Sequence, residues 1–134
     1  MARRNTIQQK VIAEQLRKLH GSHPTVDEVH RALSADYPSI SKTTVYRTLA
    51  RMAEDGQALK VNVPGGADHF DDTLRPHYHV VCTRCGRVDD VDVQVPTAAF
   101  EHVDTQHASG FTITGYELLF QGICPACAEE ERQE

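Results

Sequence analysis

Two Cys-x-x-Cys pairs, Cys82-Thr83-Arg84-Cys85 and Cys124-Pro125-Ala126-Cys127, constrain this 134-residue chain more than any other feature. The short spacing lets both sulfurs of a pair turn toward one ion, and two such pairs close a tetrahedron of thiolates around zinc. Four protein ligands leave no open coordination position, so Cys82, Cys85, Cys124 and Cys127 are expected to form a structural site rather than a catalytic one. The alternatives are two dithiol redox pairs or buried, unligated thiols. Gln8, Gln9 and Lys10 stand where an export signal would need an apolar core, and no run approaches the ~18 apolar residues of a membrane span. A cytoplasmic protein with no membrane association is the expectation, and there paired cysteines favour metal over disulfides.

The net charge of −5 hides an asymmetry. Residues 1–63 carry ten Lys/Arg against six Asp/Glu, whereas residues 64–134 carry four against thirteen. A basic half can face an anion while an acidic half, which holds all four cysteines and five of the eight histidines, attracts cations.

The apolar pattern predicts three short helices and then a hairpin. Ile7, Val11, Ile12, Leu16 and Leu19 recur at helical spacing from about Thr6 to Leu19. Thr25 followed by Glu28 has the capping-box form, with Val26, Val29, Ala32 and Leu33 on one face and Tyr37-Pro38 as a stop. Ser41 caps a third helix that turns Val45, Leu49 and Met52 inward and ends at Asp55-Gly56. Strand-like runs at 58–63 and 68–70 flank Pro64-Gly65-Gly66. This order describes a winged helix-turn-helix. The remainder reads as strands at 78–82 and 88–93, a helix at about 97–107 and a strand at 112–121. Such a unit is too small to be stable unaided, and a metal is the obvious aid.

In a winged helix-turn-helix the third helix enters the DNA groove. Lys42, Thr43, Thr44, Tyr46, Arg47 and Arg51 are not needed for its apolar face, and they suit phosphate and base-edge contacts on double-stranded DNA. An ordinary solvated face is the alternative. A second ligand cluster lies beside the first cysteine pair. His77 and His79 alternate along an extended chain and point to one side, with Asp71 upstream and Asp90 five residues after Cys85. Two imidazoles and two carboxylates suit Fe(II), Mn(II), Zn(II) or Ni(II) rather than a soft thiolate-loving ion. An isolated His-x-His on a surface strand is the bland counterpart.

These residues resemble the ferric uptake regulator family of metal-dependent repressors. The resemblance rests on His23-Pro24-Thr25-Val26-Asp27-Glu28, on Ser41-Lys42-Thr43-Thr44-Val45-Tyr46-Arg47-Thr48-Leu49, on His69-Phe70-Asp71, and on His77-Tyr78-His79-Val80-Val81-Cys82 with the downstream Cys-x-x-Cys. It implies an α+β protein with a winged-helix DNA-binding domain at 1–72, a hinge at 73–76 and a small α/β dimerisation domain at 77–134. It also implies a homodimer on a palindromic operator, whose half-sites mirror protein symmetry. The implied regulatory Fe/Mn site is His23, Asp71, His77, His79 and Asp90, alongside the structural zinc. Aspartate at position 90 is similar to the peroxide-responsive branch of the family, in which bound Fe(II) reacts with hydrogen peroxide, a ligating histidine (His23 or His77) is oxidised, and DNA is released.

The sequence departs from the family pattern in three places. The helix that usually precedes the segment near Thr6 is missing or reduced, Thr6-Ile7-Gln8-Gln9 lacks a basic contact, and Tyr116 stands where some members carry a histidine of a third metal site. His20, His30, His69, His102 and His107 match no ligand position, although His69 is near enough to Asp71 to be an alternate ligand. Glu129-Glu130-Glu131 reads as a solvated end. The rival readings are a repressor that senses iron, manganese or zinc without peroxide, a metallohydrolase using His77, His79 and Asp71, and a zinc-ribbon adaptor. The hydrolase lacks a nucleophile motif and a placed acid or base, so a non-enzymatic role is expected.

Overall fold

The computed structural model describes residues 2–101 and 109–133. No Pro or Gly interrupts residues 2–18, and the first helix, α1 (Ala2–Lys18), starts four residues before the apolar spacing alone suggests. Ile12 and Leu16 of this helix are buried, with Val11 and Leu19 packed beside them. Ile7 does not join this stripe. It is exposed, and its neighbours Gln8 and Gln9 line a groove shared with α3 (Lys42–Glu54).

The second helix, α2 (Val26–Leu33), is capped at Thr25, whose Oγ1 accepts from the Glu28 backbone N–H at 3.2 Å. The box is closed differently from the usual reciprocal form, because the Thr25 hydroxyl donates to the Glu28 carboxylate at 3.1 Å. α2 stops at Leu33, ahead of Tyr37-Pro38, where the Ser34 hydroxyl donates to the His30 carbonyl at 2.7 Å. Such back-bonding competes with helix continuation. Ala32, expected on the apolar face, is exposed. Ser41 caps α3 by accepting from Thr44 N–H at 3.1 Å. Val45 and Leu49 then join Ile12, Leu16, Val29, Leu33, Ile40, Ala58 and Phe70 in one core.

The wing is an antiparallel pair, β1 (Leu59–Val61), shorter than the run at 58–63, and β2 (His69–Asp71), displaced by one residue from the run at 68–70. Gly65 at φ 76° takes the left-handed backbone that its turn requires. A second sheet is built on β3 (Tyr78–Cys82), with β4 (Val88–Val91) antiparallel on one side and β5 (Leu119–Gly122) parallel on the other. The protein is thus α+β, with a winged helix-turn-helix followed by a small α/β unit. Its two halves touch through the wing, since Val61 of β1 shares a cluster with Val81 and Val88 and Asn62 Nδ2 donates to Glu117 at 3.0 Å.

Two strands of the second half are shorter than expected, β4 ending at Val91 rather than at residue 93. Residues 111–118 carry no regular structure, so the strand expected at 112–121 is confined to β5. The register pairs Leu119 with His79. A strand extended upstream would meet Pro76, which has no N–H to give. The helix expected at about 97–107 is α4 (Ala98–Glu101) among the described residues, and His102 and His107 lie outside them. A last helix, α5 (Pro125–Gln133), follows β5 and carries Glu129, Glu130 and Glu131, all three of them exposed, as a solvated end requires. No helix among the described residues is long and apolar enough to cross a membrane.

Candidate metal centres

The β3–β4 turn and the start of α5 bring four sulfurs together. Cys82 closes β3, Cys85 lies in the turn that Gly86 completes at φ 80°, and the Gly86 N–H donates to the Cys82 carbonyl at 2.9 Å. Cys124 stands at the cap position of α5, its carbonyl accepting from Ala128 N–H, with Pro125 in the first helical position. Cys127 follows one turn later. The Sγ atoms of Cys85 and Cys124 are 3.8 Å apart, equal to the edge of about 3.8 Å of a tetrahedron with Zn–S bonds of about 2.3 Å. Backbone N–H groups of Cys85 and Cys124 bring the Cys82 thiol down to about 6, whereas the neighbouring Cys124 sulfur and burial push Cys127 up to about 12. Four sulfurs that crowd one another in this way hold their negative charge together only around a cation. The donor set fits zinc.

Five residues from both halves form a second cluster: the ligand atoms of His23, Asp71, His77, His79 and Asp90 all lie within 4.8 Å of one another. Each arrives by a different route. His23 sits between α1 and α2, two residues before the Thr25 cap, and is 2% exposed. Asp71 ends the wing. His77 leads into β3, and His79 lies on β3 directly opposite Asp90 of β4, so the sheet register itself pairs these two. His23 Nε2 lies 2.8 Å from Asp90 Oδ1 and 3.3 Å from Asp71 Oδ2. His77 and His79 place Nε2 at 2.8 and 2.9 Å from Asp71 Oδ2, and at 3.1 and 3.5 Å from Asp90 Oδ1. Ligands about 2.1 Å from one ion lie about 3.0 Å apart along an octahedron's edge.

Hydrogen bonds outside the cluster decide which atoms face it. Asp71 Oδ1 accepts from Thr73 N–H at 2.9 Å, leaving Oδ2 for the centre. His77 Nδ1 donates to the Arg75 carbonyl at 2.7 Å, so a neutral His77 presents an Nε2 lone pair. That lone pair faces the carboxylate oxygen of Asp71 at 2.8 Å, an arrangement that is repulsive unless a proton or a metal ion lies between them. The same need shifts the ionisation of these groups. The Asp71 carboxylate, against opposing burial and with help from Asp90, holds His23 up to about 9. Burial raises the Asp71 carboxyl, but the His23, His79 and His77 imidazoles outweigh it and draw it well below the usual carboxylate range. His77 is raised despite burial, by the Arg75 carbonyl and Asp71. His23 Nδ1 is buried with no hydrogen-bond partner among the described residues. The donor set fits a borderline-to-hard divalent ion such as Fe(II) or Mn(II), and not a thiolate-seeking one.

The basic set lies on α3. Lys42, Thr43, Tyr46, Arg47 and Arg51 are exposed and Thr44 is half-buried. Thr44 Oγ1 shares a hydrogen bond with Ser41 Oγ at 2.9 Å, and Lys42 is paired with Asp27. Arg47, Arg51 and Tyr46 line an open groove of about 520 Å³ against Gln8 and Gln9 of α1. Tyr116 is exposed and stacks on Phe100 with ring centroids 4.7 Å apart. His69, expected at most as an alternate ligand beside Asp71, is not among the five clustered residues; its Nδ1 lies 2.6 Å from the His23 carbonyl oxygen. The signal was available in the period-two pattern, which puts His69 and Asp71 on one face of β2 and Phe70 on the other.

Comparison with known proteins agrees with this geometry. The model of the ferric uptake regulator family matches residues 1–120. The chain is 33% identical over 127 residues to the peroxide-responsive repressor PerR of Staphylococcus epidermidis, a match that covers 95% of this chain and 83% of that protein. Among solved structures, the Campylobacter jejuni peroxide stress regulator superposes with a TM-score of 0.65 at 26% identity, covering 92% of this chain and 91% of that one. The Helicobacter pylori ferric uptake regulator, described as having three functional metal-binding sites, shares the fold with a TM-score of 0.67 at 15% identity, over 90% of this chain and 79% of that one.

Proposed function

The chain belongs to the ferric uptake regulator family, and on that premise we propose that it is a metal-dependent, DNA-binding transcriptional repressor that senses peroxide. Residues 1–72 act as the winged-helix DNA-binding domain, 73–76 as a hinge, and 77–134 as the half through which two copies pair on a palindromic operator. Cys82, Cys85, Cys124 and Cys127 hold structural zinc. His23, Asp71, His77, His79 and Asp90 hold the regulatory Fe(II) or Mn(II). Lys42, Thr43, Thr44, Tyr46, Arg47 and Arg51 contact DNA.

The observation that carries this reading is the origin of the five donors. His23 comes from the turn between α1 and α2, Asp71 from the wing, His77 from the residue before β3, and His79 and Asp90 from the second sheet. All five converge only when the halves are arranged as they are here, so an ion held by the five selects that arrangement. The arrangement in turn sets where α3 of each copy meets the duplex. The groups are aimed at one another rather than into a cleft, which supports a regulator over a metallohydrolase.

Bound Fe(II) supplies the redox chemistry with hydrogen peroxide that Mn(II) lacks. His23 and His77 offer imidazole rings at the centre: one oxygen atom of peroxide enters a ring carbon, the other leaves as water, and the altered ring no longer holds its place. The test loads the protein with Fe(II) or Mn(II), adds peroxide, and follows operator binding together with the mass of the histidine peptides. Loss of binding with the gain of one oxygen atom, in the iron form only, is the expected result. Retention of the operator by both forms removes peroxide sensing and leaves a repressor that responds to the metal alone.

A further inference from the structure

We infer that His69 is a positioning residue for the regulatory centre, acting through the backbone of His23. This rests on the reading of the five-residue cluster as a metal site. His23 is one of two non-glycine residues with left-handed backbone among those described, at φ 51°. Side chains adopt that conformation reluctantly, so something must hold it. The holding contacts come from β2. His69 Nδ1 lies 2.6 Å from the His23 carbonyl oxygen, Phe70 N–H donates to the Pro24 carbonyl at 2.9 Å, and Thr25 forms an isolated antiparallel bridge with His69. The residues after His23 are thus laid along the wing strand as a short extra strand.

A carbonyl oxygen only accepts, so Nδ1 of His69 carries the proton and donates it to the His23 carbonyl. The contact is buried at both ends, since His23 and His69 are both buried, and water cannot replace it. The alternation of β2 explains the economy of the arrangement. Phe70 points into the core, while His69 and Asp71 share the other face. One strand therefore supplies a carboxylate to the centre and grips the backbone that delivers an imidazole to it. His23 needs that grip more than His77 does, because its own Nδ1 has no partner among the described residues, whereas His77 is oriented by the Arg75 carbonyl.

Mn(II) titration of the zinc-replete full chain, read by electron paramagnetic resonance of the free ion, tests this inference. His69→Asn places an amide N–H where Nδ1–H stands, His69→Gln carries its amide out toward the Nε2 position, and His69→Leu has no donor. We expect His69→Asn to bind Mn(II) within about threefold of the wild type and the Gln and Leu variants about 10–100-fold more weakly, all with unchanged zinc content. In a His23→Ala background the Leu substitution should cost less than about twofold, because its effect passes through His23. Equal affinities for the three variants overturn the inference, and so does a loss that persists in the His23→Ala background. If His69→Leu fails to fold, the Asn and Gln variants decide between them, both being polar and close to histidine in size. A wild-type chain that takes up no Mn(II) defeats the metal-site reading itself, and the inference falls with it.

Discussion

His23 Nε2 and Asp90 Oδ1 are 2.8 Å apart although 67 residues separate them in the chain. One precedes the first helix of the helix-turn-helix motif; the other lies on an edge strand of the second sheet. The pair is lopsided, with the His23 side chain buried and that of Asp90 54% exposed. Removing Asp90 therefore leaves little void.

Asp90→Ala should fold with a stability within about 1 kcal/mol of the wild type, as surface truncations do. Its Mn(II) affinity should fall at least about tenfold. Calorimetric titration beside a urea melt checks both. Wild-type Mn(II) affinity in the variant would remove Asp90 from the centre.

The zinc cluster predicts the opposite balance. The apolar cluster beneath the second sheet has Val61, Val81 and Val88 as its buried members, too few to hold β3, β4, β5 and α5 without the metal. Cys124→Ser should lose zinc and the structure of that half, measured by zinc content and amide exchange, and Cys82→Ser should do the same. A zinc-free Cys82→Ser chain with full protection would contradict the structural role.

The raised ionisation of His23 gives a pH signature to protein lacking the regulatory ion. Because the folded-state value, about 9, lies above the ordinary 6.5, protonated His23 stabilises the fold fully below pH 6.5. That stability, on the order of 2 kcal/mol, is lost as pH rises through about 9. Urea melts at both ends of the window measure it. An ion entering the centre must displace the proton, so Mn(II) binding near neutral pH should release about one proton from His23, and affinity should rise with pH up to about 9. Titrations in buffers of different ionisation enthalpy count the protons. No release would mean that His23 is neutral in the metal-free fold.

For α3, Arg47→Ala should weaken operator binding and lower the slope of log affinity against log salt by about 1 if the guanidinium meets a phosphate. An unchanged slope with relaxed sequence preference would assign it to a base edge instead. Fluorescence anisotropy over a salt series separates the two.

Much of this was legible in the sequence wherever geometry acts over a few residues. The Thr25 and Ser41 caps, the cysteine spacing and the His77–His79 alternation are local facts. Ile7 and Ala32 are exposed against expectation, because helical spacing says which residues share a face, not how far the neighbouring helices reach along it. The strand at 112–121 was overextended for a similar reason. Phe111, Ile113 and Tyr116 carry a strand's composition but are exposed, and a strand needs a partner with amides to offer. His23 is legible only through family resemblance, and proximity to Asp71 marks His69 as an alternate ligand rather than as the partner of the His23 carbonyl.

By itself the chain determined its two ligand chemistries, sulfur in one place and imidazole with carboxylate in another, and its succession of helices, wing and small sheet. Such outcomes follow from residue type and short-range backbone geometry. Tertiary structure alone decided that His23 and Asp71 of the first half meet His77, His79 and Asp90 of the second, and that His69 holds the His23 backbone in place. Those meetings depend on the packing of β1 against the second sheet and on the register of β2 along the residues after His23, and no local rule carries that information across some fifty intervening residues.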